Sequence, residues 1–138
     1  PYPSFVNFDA TARLACTFKR SRSNTPLQAL TLLNDPVYVE AAFALAQRVM
    51  RERAGVPIDE QLRYAFRLCL ARSPDDAELS ILRNLHVAQL AASHADPASA
   101  ELLAAHTGLG RAGQADELVA WYAVAAALLN LDETITKN

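Results

Sequence analysis

The chain has 138 residues, is 51% apolar and carries a formal charge of -2. That is enough for one domain with a real core, too apolar for a disordered segment, and without the cationic field of a general nucleic-acid binder. No apolar run is long enough to cross a bilayer, so no membrane insertion is expected. Pro1 is an unusual natural start, so the chain reads as a piece of something longer, and the missing signal peptide says nothing against export.

Residues 1–24 read as mainly irregular or extended. Tyr2, Phe5, Val6 and Phe8 are apolar groups that lie across the helices or against an upstream segment, and Phe18 anchors the stretch before the basic patch. Residues 9–13 can make one helical turn. The expected division is 1–25 for an N-terminal arm and capping segment, continued from an upstream region, and 26–138 for a helical domain.

The most informative stretch is SNTPLQALTLLNDP at residues 23–36, which encodes two helix starts in succession. Thr25 caps the first, with Pro26 at the first helical position and Gln28 at the third. Asp35 caps the second, with Pro36 behind it. The first helix, 26–33, is too short to stand alone, so burial of Leu27, Leu30 and Leu33 is expected to hold it. The second runs to about residue 54 on an apolar face of Tyr38, Ala41, Ala42, Leu45, Ala46 and Val49, which Phe43 and Met50 extend. Gly55 and Pro57 stop it.

A third helix spans about 58–71, with Ile58, Leu62, Ala65, Phe66 and Cys69 at helical spacing. Ser73 then caps another, with Pro74 and the acids Asp75 and Asp76 behind it. That helix continues to about 93 on Leu79, Leu82, Leu85, Val87 and Leu90. A short helix follows over 98–105, and a last one over about 115–131 packs through Leu118, Trp121, Tyr122, Ala125, Ala126 and Leu129. Asp132, Glu133 and Thr134 end or fray it. The expected fold is all-α, an irregular orthogonal or bundle-like packing of about five helices with an extended arm.

No strong catalytic motif is present. His86, His94 and His106 form no HxxH, HExxH or CxxCH run, so neither a metal nor a cofactor is expected in this piece. Cys16 and Cys69 form neither a CxxC pair nor a zinc spacing. They are two buried thiols or one disulfide, and the spacing leaves both open. Asp75, Asp76 and Glu78 cluster at a helix start rather than flanking a cleft. The serines lack a nucleophile-elbow context. Lys19, Arg20 and Arg22 are the compact basic patch. With Asn24, beside the helix start at Thr25, they are the candidate contact for an anion or a partner.

The segments FDA at 8–10, CT at 16–17, RSRSNTPLQAL at 20–30, LLNDP at 32–36 and the end from Trp121 to LLNLDE at 128–133 resemble the planctomycete-type domain of unknown function 1553. Ala65, Phe66, Arg67, Arg72, Pro74 and Glu78 fit between them. The likeness is to the C-terminal part of that domain and covers nearly the whole chain. Cys69 and the ending at Thr134 depart from its usual pattern. The resemblance implies a place in a large exported bacterial protein, periplasmic or extracellular. Some such proteins carry an upstream cytochrome-c-like domain, so haem is expected only upstream. It supplies no catalytic residues.

The expected function is therefore a non-catalytic structural or domain-interaction module, whose partners are upstream domains of the same protein or another protein. The alternative is part of an extracellular enzyme acting on carbohydrate or another polymer, with Arg20, Arg22, Asn24 or Asp35 in a cleft. Nucleic acid is not an expected partner.

Overall fold

The computed structural model of the chain describes residues 7–10, 18, 23, 25–106 and 114–136. The described residues hold seven helices and no strand. They are α1 (Pro26–Asn34), α2 (Pro36–Glu52), α3 (Ile58–Leu70), α4 (Asp76–Ala95), α5 (Pro97–His106), α6 (Ala115–Leu129) and α7 (Asp132–Ile135). The all-α class holds, with seven helices rather than about five. Residues 132–134 do not fray. They open α7, whose Thr134 hydroxyl donates to the Leu128 carbonyl at 2.7 Å and folds the end back onto α6.

α6 sits at the centre and touches each of the six other helices, with its largest contacts to α2 and α4. Its sequence explains this position. Leu118, Ala120, Trp121, Val124, Ala125 and Leu128 are all buried, so the helix is apolar around most of its circumference. Alanines between the large side chains let neighbouring helices approach closely. The expected face on this helix therefore widens to include Ala120, Val124 and Leu128. Tyr122 is half-buried and stacks on Phe43 with ring centroids 4.1 Å apart.

α2 buries Ala42, Phe43, Ala46 and Val49. Phe43 is at the centre of that face rather than its margin, whereas Ala41 is exposed. α3 contributes Leu62, Ala65 and Phe66. On α4 the buried set is Leu79, Leu82, His86 and Ser93, at spacings of three, four and seven. That register turns Val87 outward, where it is 59% exposed, and places His86 inside instead. Cys69 is a half-buried free thiol, and burial pushes its pKa up. Cys16 lies outside the described residues.

α1 and α2 meet at Asp35, which serves both. Its backbone N–H donates to Thr31 as α1 ends, and its carboxylate accepts from the Val37 N–H at 3.1 Å as α2 begins. One extended residue between two helices turns the chain without a loop. α2 ends at Glu52, and Gly55 takes a left-handed φ of +79° in the turn that follows.

α4 starts later than the Ser73 signal suggests. Its N-cap is Asp75, whose carboxylate accepts from the Glu78 N–H at 2.7 Å, while the Asp75 N–H donates to the Glu78 carboxylate at 2.8 Å. A Ser73 cap would place the shorter Asp76 at the third position. The Asp75–Glu78 pair closes a reciprocal box, satisfies two free donors and takes the helix start with it.

Candidate functional site

Two polar clusters and one apolar ridge stand apart from the core. The first cluster is the corner where the arm meets α1. Thr25 caps α1, accepting from the Gln28 N–H, and the Thr25 N–H donates to Gln28 Oε1 at 2.9 Å. Gln28 Nε2 then reaches back to the arm. It donates to the Asn7 carbonyl at 2.7 Å and to Ser23 Oγ at 3.0 Å. Ser23 in turn donates twice to Asp9 Oδ2, from Oγ at 2.6 Å and from its backbone N–H at 3.0 Å. Asn7 Nδ2 donates to Thr31 Oγ1 at 3.0 Å. Gln28 is only 1% exposed, and every polar atom of its amide is occupied.

That arrangement inverts α1 relative to the sequence expectation. Gln28 is buried, whereas Leu27, Leu30 and Leu33 are 56%, 57% and 46% exposed, and Val37 at the start of α2 is 58% exposed. Hydrogen bonds, not leucine burial, hold this short helix. The leucines recur every third residue and form a ridge. No residue of α1 is charged, so nothing along the ridge itself keeps it wet. The reading of buried leucines assumed that an apolar face must point at the core. The capping box fixes only the bond between Gln28 and the Thr25 backbone, and the bond from Gln28 Nε2 to the Asn7 carbonyl turns that side chain inward.

The second cluster is centred on Arg72, immediately after the left-handed Ala71 that ends α3. Its Nε and Nη2 donate to Glu133 on α7 at 3.0 and 2.6 Å. Its Nη1 and Nη2 donate to Glu78 on α4 at 2.9 and 2.7 Å. Nη1 also donates to the Ser73 carbonyl at 3.3 Å, so all five N–H groups are used. The guanidinium carbon lies 4.8 Å from the centre of the Phe66 ring. The end of α3, the start of α4 and α7 are thereby tied to one planar cation.

The charges respond as this geometry requires. The Arg72 guanidinium, followed by the Asp75 N–H, brings the Glu78 carboxyl down to about 2. Arg72 likewise lowers Glu133, and the two carboxylates, Glu78 first, raise Arg72. A carboxyl below its ordinary value of 4.5 contributes stability that is complete above that pH and is lost as pH falls toward 2. Arg72→Met should flatten the acid-unfolding profile between those limits when circular dichroism is followed against pH. An equally steep profile in the variant would mean that other carboxylates control it.

Arg72→Lys is expected to behave like Arg72→Met at α7, because an ammonium cannot bridge two carboxylates bidentately. The measurement is amide exchange at Ile135 and Thr136, which should accelerate in both variants.

His86 and Trp121 form a third, buried feature across the α4–α6 seam. Their rings are 5.0 Å apart. His86 Nε2 lies 3.4 Å from Glu117 Oε1 without meeting hydrogen-bond geometry, and neither it nor Trp121 Nε1 has a hydrogen-bond partner. The adjacent His86 holds the Glu117 carboxyl below the usual range. His94 pairs with Asp116 at 3.6 Å toward one end of the same seam. Among the described residues no group of three His, Cys, Asp or Glu side chains is placed to hold a metal.

Of the sequence-selected residues, Lys19, Arg20, Arg22 and Asn24 lie outside the described residues, as does the side chain of His106. Thr25 and Asp35 are N-caps, whereas Ser73 precedes the cap at Asp75. Phe18 does not anchor the arm: it is fully exposed. Residues 9–13 form no described helical turn. Asp9 has a φ of +55°, and 11–13 lie outside the described set.

A family model described as PSD1, protein of unknown function (DUF1553), matches residues 1–86. The match takes in the Gln28 corner, the ridge, Arg72 and Glu78. It stops within α4, short of the 121–133 stretch. No curated protein and no solved structure matches.

Proposed function

The chain belongs to the DUF1553 family, and on that premise we propose that it is a non-catalytic structural and domain-interaction module of a larger exported bacterial protein, working in the periplasm or outside the cell. The observation that carries this reading is the inversion of α1. A fully hydrogen-bonded glutamine faces inward, and three leucines and a valine face outward. A helix whose interior side is fixed by polar bonds is free to use its apolar side for contact. Lys19, Arg20, Arg22 and Asn24, which precede Thr25 in the sequence, are the candidate polar contacts with that partner on this reading. The partner is the preceding part of the same polypeptide, and any haem belongs there rather than in this module.

Asp35 is already committed to capping α2, which favours contact over a carboxylate turned to a polymer substrate. The test is the double substitution Leu30→Asp with Leu33→Asp, made both in the parent protein and in this 138-residue chain. The expected result is a larger loss of thermal stability and of protease resistance in the parent than in the isolated chain. Equal effects in the two proteins would overturn the docking role.

A further inference from the structure

Along the α4–α6 seam the imidazoles and the acids are sorted by helix. His86 and His94 come from α4, and Asp116 and Glu117 come from the first turn of α6. His94 is in the last turn of α4, where the helix dipole favours a cation, and the two acids sit where the dipole of α6 favours anions. His86 is the inner member of the set and is only 4% exposed. Its Nε2 stops 3.4 Å from Glu117 Oε1 without a hydrogen bond, and Trp121, one turn after Glu117, also leaves its Nε1 unpartnered there. A neutral imidazole carries one N–H, and a carboxylate can only accept. The contact closes into a bond when Nε2 bears a proton, and into a charge-assisted bond when Nδ1 bears one as well.

We propose that His86 and Glu117 form a proton-operated latch across the α4–α6 seam, open when His86 is neutral and closed when it is an imidazolium. The latch is independent of the docking role of α1. Burial opposes a charge on His86, and the facing carboxylate offsets that cost. Other charges on the packed elements are engaged elsewhere or face water. Arg83, one turn before His86, is held by both oxygens of Asp59 on α3, and Arg63 of α3 lies 3.9 Å from Asp76. Glu60 and Arg67 of α3 and Glu101 of α5 are exposed. Among the described residues Glu117 carries the one carboxylate within ion-pair distance of His86. The closed state needs imidazolium and carboxylate together. Its stabilisation is therefore present in mild acid and is lost as pH rises through the range where histidine gives up its charge. The lower limit is protonation of Glu117, which the adjacent His86 holds below the ordinary value of 4.5. His94 and Asp116 follow the same polarity two turns along, but that imidazole is 62% exposed and the pair contributes less.

The test is a double-substitution cycle in the 138-residue chain, with His86→Gln, Glu117→Gln and the two combined. Urea unfolding is followed at about pH 5.5 and about pH 8, on either side of the histidine transition. The coupling between the two positions is expected to be about tenfold in the folding equilibrium constant at the lower pH and less than about twofold at the higher. His94→Gln should leave that coupling unchanged. Should His86→Gln fail to fold, Glu117→Gln alone carries the test through nitrogen-15 resonances of the imidazole. At about pH 5.5 the His86 Nε2–H is expected to exchange slowly with water in the natural sequence and rapidly in Glu117→Gln. A coupling that does not weaken as pH rises overturns the latch, and so does a ring N–H equally protected in both proteins.

Discussion

Gln28→Leu should destabilise the protein by about 3 kcal/mol, although it replaces a buried polar side chain with an apolar one of similar size. On a water-to-oil scale the substitution gains. In the folded chain it strips the Thr25 N–H, the Asn7 carbonyl and the Ser23 hydroxyl of the amide that holds them together. Buried groups left unpaired cost roughly 1–3 kcal/mol each, and part of that returns through solvent where the site is only partly closed. Gln28→Glu separates the contributions. A carboxylate still accepts from Thr25 but cannot donate to Asn7 or Ser23, so it should lose the arm while retaining the cap. Urea denaturation gives the stability, and amide exchange at Ser23 and Thr25 reports the arm and the cap. A Gln28→Leu protein as stable as the parent sequence would show that the corner is held by something other than this amide.

The second large effect is expected at Trp121. Trp121→Ala should cost about 4 kcal/mol, since truncating a buried aromatic leaves a cavity that its neighbours close only in part. The side chain is among the largest that are fully buried, and it lies on the helix that touches all the others. Trp121→Phe should cost far less, within about 1.5 kcal/mol, because it keeps a ring beside His86 and removes an indole N–H that has no partner. The pair of variants thus separates volume from polarity in one position. Thermal unfolding in both proteins is the measurement. A Phe variant as weak as the Ala variant would mean that the indole N–H is satisfied after all.

What was legible in the sequence was local. The caps at Thr25 and Asp35 follow from residues within four positions of each other, and the structure contains both. The core face of α3 follows from periodicity, because an apolar stripe at helical spacing has few other places to go, whereas α6 is apolar nearly all round and buries Ala120, Val124 and Leu128 beyond its expected stripe. The orientation of α1 was not legible, because it is decided by Asn7, which is 21 residues from Gln28. Periodicity cannot weigh a hydrogen bond across that separation against a leucine face. Arg72 and Glu133 lie 61 residues apart, and their pairing depends on α6 returning the chain to the end of α3. At Ser73 and Asp75 two valid cap signals compete within three residues, and the reciprocal bond from Glu78 decides between them.

The position of α6 bears on how large the folding unit must be. The family match covers residues 1–86, yet the helix that encloses Phe43, Phe66 and Leu62 begins at Ala115. A fragment cut at the family boundary would retain those large side chains and lose the surface that shields them from water. It should collapse without a sharp melting transition, and bind hydrophobic dyes as it does so. The stretch matched by the family model is therefore shorter than the packed core, which closes only when α6 is included.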